Sequence, residues 1–298
     1  MTHALRRAEA ALLHWFFAPA SVAPLAAIRI ALGAILVLSV VQAVPHIEWV
    51  WGGDGLLRHA TQSYPSHPMV GHAPLVFGTL ALSAACFSVG LATRVSGLVA
   101  AGAQATIASA GLWHSWGWTN AIPVFVAIVA VSSARNMASV DAWWARRRGR
   151  PLPTVTPRWA VRVLQVHVAV VYIAAGWHRI DDRGWIAGEM VYAAVANSMY
   201  TRLPYIDPQP LKPLFSLLTW ATEALELAAP ILLWVRRTRV PTVLALMALH
   251  LGLELSAIIG WWQYMMLAML VVFLPSAWPE RVLAPRPSQT LTPRAVAG

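Results

Sequence analysis

The stretch Val22-Ala23-Pro24-Leu25-Ala26-Ala27-Ile28-Arg29-Ile30-Ala31-Leu32-Gly33-Ala34-Ile35-Leu36-Val37-Leu38-Ser39-Val40-Val41-Gln42-Ala43-Val44 decides the fold class. It carries one charge, Arg29, and is otherwise almost wholly apolar. A helix rises about 1.5 Å per residue and a hydrocarbon core is about 30 Å thick, so roughly 20 apolar residues span it. Seven further blocks of similar character run at approximately 74–92, 95–112, 119–134, 159–177, 214–235, 239–258 and 262–277. The shorter ones suit spans that are tilted or packed inside a bundle. In lipid, every backbone polar group must be satisfied by a helix or a closed barrel, and no long segment here alternates with a β period. The expected fold is all-α, a polytopic transmembrane helical bundle of about eight spans, with a short extra helix in 185–200.

The loops between the blocks alternate between arginine-rich and arginine-poor, which makes the orientation readable. With eight spans, the N-terminus, the loops near 94, 135–162 and 236–239 and the tail after 278 share one side. That side holds 16 of the 22 Lys and Arg residues, including Arg146-Arg147-Arg148, Arg150 and Arg236-Arg237. The other face holds Arg58, Arg179, Arg183, Arg202 and Lys212. Cytoplasmic loops carry the Lys/Arg excess, so both termini are expected in the cytoplasm and the chain in the cytoplasmic membrane, multi-pass. The expected organisation is a cytoplasmic N-terminal segment, 1–21, a membrane domain, 22–277, and a disordered cytoplasmic tail, 278–298, with Pro285, Pro287 and Pro293.

Composition agrees. Of 298 residues, 58% are hydrophobic and 11% charged, with a mean hydropathy of +0.59, far too apolar for a soluble domain. The net charge of +10 sits in the loops assigned to the cytoplasm, so it points to anionic membrane lipids as partners and not to nucleic acid. The single cysteine, Cys86, excludes an internal disulfide and a CxxC redox motif. The first block is longer than a signal-peptide core and lacks a small-residue cleavage site, so it is expected to be retained.

Polar and aromatic residues gather on the outer face: His46, Trp49, Trp51, His59, His67 and His72 in 45–73, then His114-Ser115-Trp116, Trp177-His178-Arg179 and Trp261-Trp262-Gln263-Tyr264. Tryptophans at that level form the aromatic belt of many membrane proteins. No metal-ligand spacing such as HExxH occurs, so no metal site is expected. Ionisable groups inside the spans are functional candidates by default, because hydrocarbon tolerates them only when paired or lining a cavity. They are Arg29, His167, Glu223, Glu226, His250 and Glu254. At 1.5 Å per residue, His250 lies about 16 Å from one end of its block and Glu226 about 18 Å from the opposite end of its own. Similar depth on adjacent helices predicts that Glu226 and His250 pair near the midplane, either as a structural clamp or as the wall of a cavity.

Several fragments occur in one family order. Leu25 to Gly33 reads LxxxRxxxG, Gly90-Leu91 with Arg94 and Ser96 reads GLxxRxS, His114-Ser115 precedes aromatics, and Ser139-Val140-Asp141 reads SVD. Tyr172, Gly176, Arg179 and Asp181 with Trp185 and Gly188 follow the pattern YxxxGxxKxD…WxxG, except for the lysine. Leu225-Glu226-Leu227 and His250-Leu251 with Ile259-Gly260 and Tyr264 complete the set. Over residues 22–275 the chain resembles the membrane domain of vitamin K-dependent γ-carboxylase and its bacterial relatives, the horizontally transferred transmembrane (HTTM) proteins.

The resemblance implies a cofactor of the vitamin K type, a quinone or hydroquinone. Its oxidation by O₂ creates a strong base, which removes a glutamate γ-proton so that CO₂ can add. It also implies a site near the extracytoplasmic side. There His178, Arg179 and His114 are the catalytic candidates, and Tyr172, Trp177, Glu226, His250 and Tyr264 the cofactor-binding candidates. The family lysine deprotonates the hydroquinone; here Arg179 stands in its place, and arginine stays protonated. Histidine is the side-chain type suited to proton transfer near neutral pH, so His178 is the candidate substitute, while Arg179 would act as a fixed cation. The full carboxylase also has a luminal domain for its protein substrate, which nothing after Pro279 supplies, so a partner protein or small substrate is implied. The competing expectation is a non-catalytic accessory protein for maturation or export of a secreted peptide. A transporter has no support, since no inverted repeat is visible.

Overall fold

The computed structural model describes residues 3–51, 55, 67, 69, 71–110, 117–203 and 209–283. Each apolar block is a helix: α2 (Ala23–Ala43), α4 (Ala73–Val89), α5 (Thr93–Ser109), α6 (Gly117–Val131), α8 (Trp159–Arg179), α11 (Lys212–Leu232), α12 (Arg239–Ser256) and α13 (Trp262–Leu270). Between them lie α1 (His3–Phe17), α3 (Ile47–Trp51), α7 (Val140–Arg147), α9 (Arg183–Ile186) and α10 (Met190–Ala196), with α14 (Ala277–Leu283) after them. Helix α14 thus occupies the start of the expected tail, and residues 284–298 lie outside the described residues. Four stretches, Ala23–Trp51, Trp159–Arg179, Gln209–Leu232 and Arg239–Ser256, are long and apolar enough to cross a bilayer. The pair Trp262–Phe273 and Ala277–Leu283, bent by 111°, makes a fifth if taken as one, and α4 and α6 are apolar but shorter.

The helices are apolar on the outside. In α4 the outward stripe is Leu75, Leu82 and Val89, spaced by two turns. In α5, Val95, Leu98 and Val99 face out while Ser96, Gly97, Ala100 and Gln104 are buried. In water such faces would drive aggregation. In lipid they are the correct solvent boundary, and small or polar residues inside let backbones approach and hydrogen-bond. Gly97 illustrates the fit, since a Cβ there would run into Ala130 and Phe87.

One end of the bundle is tied by the family fragments. Arg29, fully buried, donates to the carbonyls of Phe87 (2.9 Å), Ser88 (2.6 Å) and Ala138 (2.5 Å). Asp141 caps α5, accepting from the backbone N–H groups of Ala92 and Thr93 at 2.9 Å and from the Thr93 hydroxyl at 2.7 Å. Gly90 ends α4 at φ +74°, the left-handed conformation that glycine adopts without penalty, with Arg29 and Ser139 packed where a Cβ would point. LxxxR, GLxxR and SVD therefore meet in one structural knot, far from the cavities described next. A two-stranded antiparallel strap, Pro19–Ser21 with Val155–Pro157, binds the end of α1 to the start of α8 at the same end.

Candidate functional site

At the opposite end, the helices are staggered. Gly176 of α8 packs so closely on Leu227 of α11 that a Cβ would clash, and α8 stops one turn later at Arg179. The chain then folds back along the first turns of α11. Asp182 caps α9, accepting from Gly184 N–H at 2.8 Å and Trp185 N–H at 3.2 Å. Ile186 O accepts from Trp220 Nε1 (3.2 Å), and Val191 N–H donates to Thr219 Oγ1 (3.1 Å). This fold-back places α9 and α10 over a cavity of about 400 Å³ between the ends of α6, α8, α11, α12 and α13. Trp118, Trp185 and Trp262 supply its aromatic walls, and Arg179, Thr222, Glu226, His250 and Gln263 its polar groups. Gly117 lets Trp262 in, as a Cβ would sit 2.9 Å from that ring.

Arg179 is the hinge of the site. Its Nη1 pairs with Glu226 Oε2, and its guanidinium lies over the Trp185 ring, 4.1 Å from the centroid. The side chains of Arg179 and Glu226 keep only 22% and 7% of their exposure. A planar cation at a helix C-terminus, opposite a carboxylate and against an indole face, is held in one orientation. His250 forms a second buried unit: its Nδ1 meets Gln263 Oε1, and its Nε2 meets the Tyr172 hydroxyl at 3.0 Å. An amide oxygen only accepts, so Nδ1 carries the proton and Nε2 accepts from Tyr172. Both ring nitrogens are thus engaged.

Glu226 and His250 line the same cavity without pairing, contrary to the depth argument; each has another partner. Depth fixes height along a helix and leaves rotation open: Arg179, at the end of α8, takes Glu226, while Tyr172 and Gln263 take His250. Of the other candidates, Tyr172 is buried behind His250, while Trp177 is 74% exposed and His178 is exposed on the outer surface of α8. Tyr264, partly exposed, donates to Glu254 Oε1 (2.9 Å), which also accepts from Arg202 (2.7 Å). His114 lies outside the described residues. Among the described residues no cluster of three or more potential metal ligands occurs. Trp118 and Gln263 are lining residues that no sequence motif marks, and Trp185 enters only through its motif; a glutamine beside belt tryptophans carries no signal of a buried histidine partner.

The model of one protein family, described as the HTTM domain, matches residues 17–278. No curated protein and no solved structure matches the chain.

Proposed function

The chain belongs to the HTTM family, and from that premise we propose an integral membrane protein that holds a lipid-soluble quinone or hydroquinone between Trp118, Trp185 and Trp262. The observation that carries this reading is the Arg179 guanidinium, oriented by Glu226 and Trp185 at the edge of an aromatic-walled cavity. Its volume, about 400 Å³, falls within the roughly 300–1,000 Å³ of small-molecule sites. A flat ring suits the aromatic walls, and the free N–H groups of Arg179 suit an oxygen bearing partial or full negative charge. When bound in reduced form, such a group would supply electrons to an acceptor such as O₂. Arginine is a fixed cation, so Arg179 holds that oxygen without acting as a base, and its partner Glu226 is the carboxylate of the site.

We read the eight helices as eight crossings, with the arginine-rich end in the cytoplasm and the cavity in the extracytoplasmic half. The distribution of 16 of 22 basic residues supports that orientation. Two activities fit the cavity. One is a carboxylase- or oxidase-like reaction. The other is an accessory role in maturation or export of a secreted peptide, which requires no base where arginine stands in the lysine position, His250 is engaged and His178 faces outward.

Titration of the purified protein with menadione, a naphthoquinone lacking a tail, tests the binding claim through tryptophan quenching. Saturable quenching that disappears in Arg179→Ala and Trp185→Leu is expected; linear quenching alike in all three overturns it. Hydroquinone-dependent oxygen uptake by the wild type or by Arg179→Lys supports the catalytic activity, and its lack in both leaves the accessory role.

A further inference from the structure

The arginine-rich end holds a second arrangement that the cavity does not use. The rings of Trp15 of α1 and Trp234, just past α11, meet at a tilt of 32° with centroids 5.7 Å apart. Three arginines surround this pair. Arg158 Nε and Arg162 Nε both donate to the Trp15 carbonyl, at 3.1 and 3.2 Å. The Arg162 guanidinium lies over the Trp15 ring at 4.6 Å and near that of Trp234 at 5.9 Å. Arg239 reaches the carbonyls of Leu233 (3.0 Å) and Trp234 (3.3 Å), and the charges of Arg158 and Arg239 both act on that of Arg162.

None of these arginines forms an ion pair among the described residues. Their partners are neutral carbonyls and the Gln165 amide, which orient the guanidinium groups without offsetting their repulsion. Among the described residues, each keeps one terminal nitrogen uncommitted: Nη1 of Arg158, Nη2 of Arg162 and Nη1 of Arg239. The cluster joins the ends of α8, α11 and α12, all long and apolar enough to span a bilayer, so it stands at headgroup level. Tryptophans favour that level. Helix α1 continues from it with exposed Leu5, Leu12, Leu13 and Phe17, as a helix lying in the interface would.

We propose that Arg158, Arg162 and Arg239 form a binding site for the phosphate of an anionic phospholipid. The lipid supplies the missing negative charge and fastens α1 to the bundle. This site is independent of the quinone cavity, which lies at the other end of the same helices.

The test uses full-length protein in neutral detergent, with phosphatidylglycerol, phosphatidylcholine or inorganic phosphate added separately. Native mass spectrometry should show phosphatidylglycerol retained in preference to phosphatidylcholine, and only phosphatidylglycerol should raise Tm. That rise should vanish in Arg158→Gln/Arg239→Gln and persist in Arg236→Gln/Arg237→Gln, which removes neighbouring charges outside the cluster. Should the first double variant not fold, Arg239→Lys, which keeps the charge but loses the fork, should show a reduced rise. Equal retention of the two lipids, an equal rise with inorganic phosphate, or equal loss in both double variants overturns the proposal.

Discussion

Replacing Glu226 by Gln keeps nearly the same volume while removing the counter-ion of Arg179. Stranding one member of a buried ion pair costs about 3–5 kcal/mol. Here the two sides are unequal, because Arg179 retains 22% exposure and the Trp185 face, whereas Glu226 retains 7%. A stranded cation at the C-terminus of α8 also keeps a favourable interaction with the helix dipole. Glu226→Gln should therefore cost about 2 kcal/mol and Arg179→Gln about 3 kcal/mol, the latter leaving a carboxylate buried and unpaired. The double variant strands neither charge and should cost about 2 kcal/mol, less than Arg179→Gln alone, a coupling of about 3 kcal/mol. At roughly 2–4 °C per kcal/mol, that coupling is a non-additivity of about 6–12 °C in Tm. Thermal unfolding followed by intrinsic fluorescence, on all four proteins in one detergent, measures it. If the Tm losses of the two single variants simply sum in the double variant, the pair does not hold the site and the reasoning fails.

Other expectations follow from single contacts. Gly90→Ala should lose folded protein, since the left-handed backbone costs about 1–2 kcal/mol before its Cβ meets Arg29 and Ser139; Gly102→Ala, with open space around it, should be neutral in the same expression and size-exclusion assay. Tyr172→Phe removes the donor to His250 Nε2 and should cost about 1–3 kcal/mol in thermal unfolding, whereas Tyr264→Phe should cost about 1 kcal/mol or less. In a Cys86→Ser background, a cysteine at Arg147 or Arg236 should resist an impermeant thiol reagent added outside intact cells, and one at Asp182 should react; the reverse pattern would invert the proposed orientation.

The helices were legible because a span needs only length and apolar composition. The block read at 159–177 is the helix Trp159–Arg179, and 239–258 is Arg239–Ser256. Arg29 was legible as a family residue, but its role was not: three carbonyl partners come from segments far along the chain, at Phe87, Ser88 and Ala138. The site was half legible. Arg179, Glu226 and His250 do line one cavity, yet hydropathy carries no information on rotation about a helix axis. That missing rotation turns Trp177 and His178 outward although they adjoin Arg179, since successive residues point about 100° apart on a helix. The short helix expected in 185–200 is α10, but its fold-back onto α11 was hidden, because the hydrogen bonds to Thr219 and Trp220 depend on where α8 stops.

The central claim is that the aromatic cavity beside Arg179 receives a lipid-soluble ring. The most direct measurement is an electron cryomicroscopy map of the protein purified gently from its native membrane. The account predicts planar density between Trp118, Trp185 and Trp262, with an oxygen within hydrogen-bonding distance of Arg179. A cavity filled only by water or by the chain's own side chains, in a preparation that still carries quinone, would contradict it.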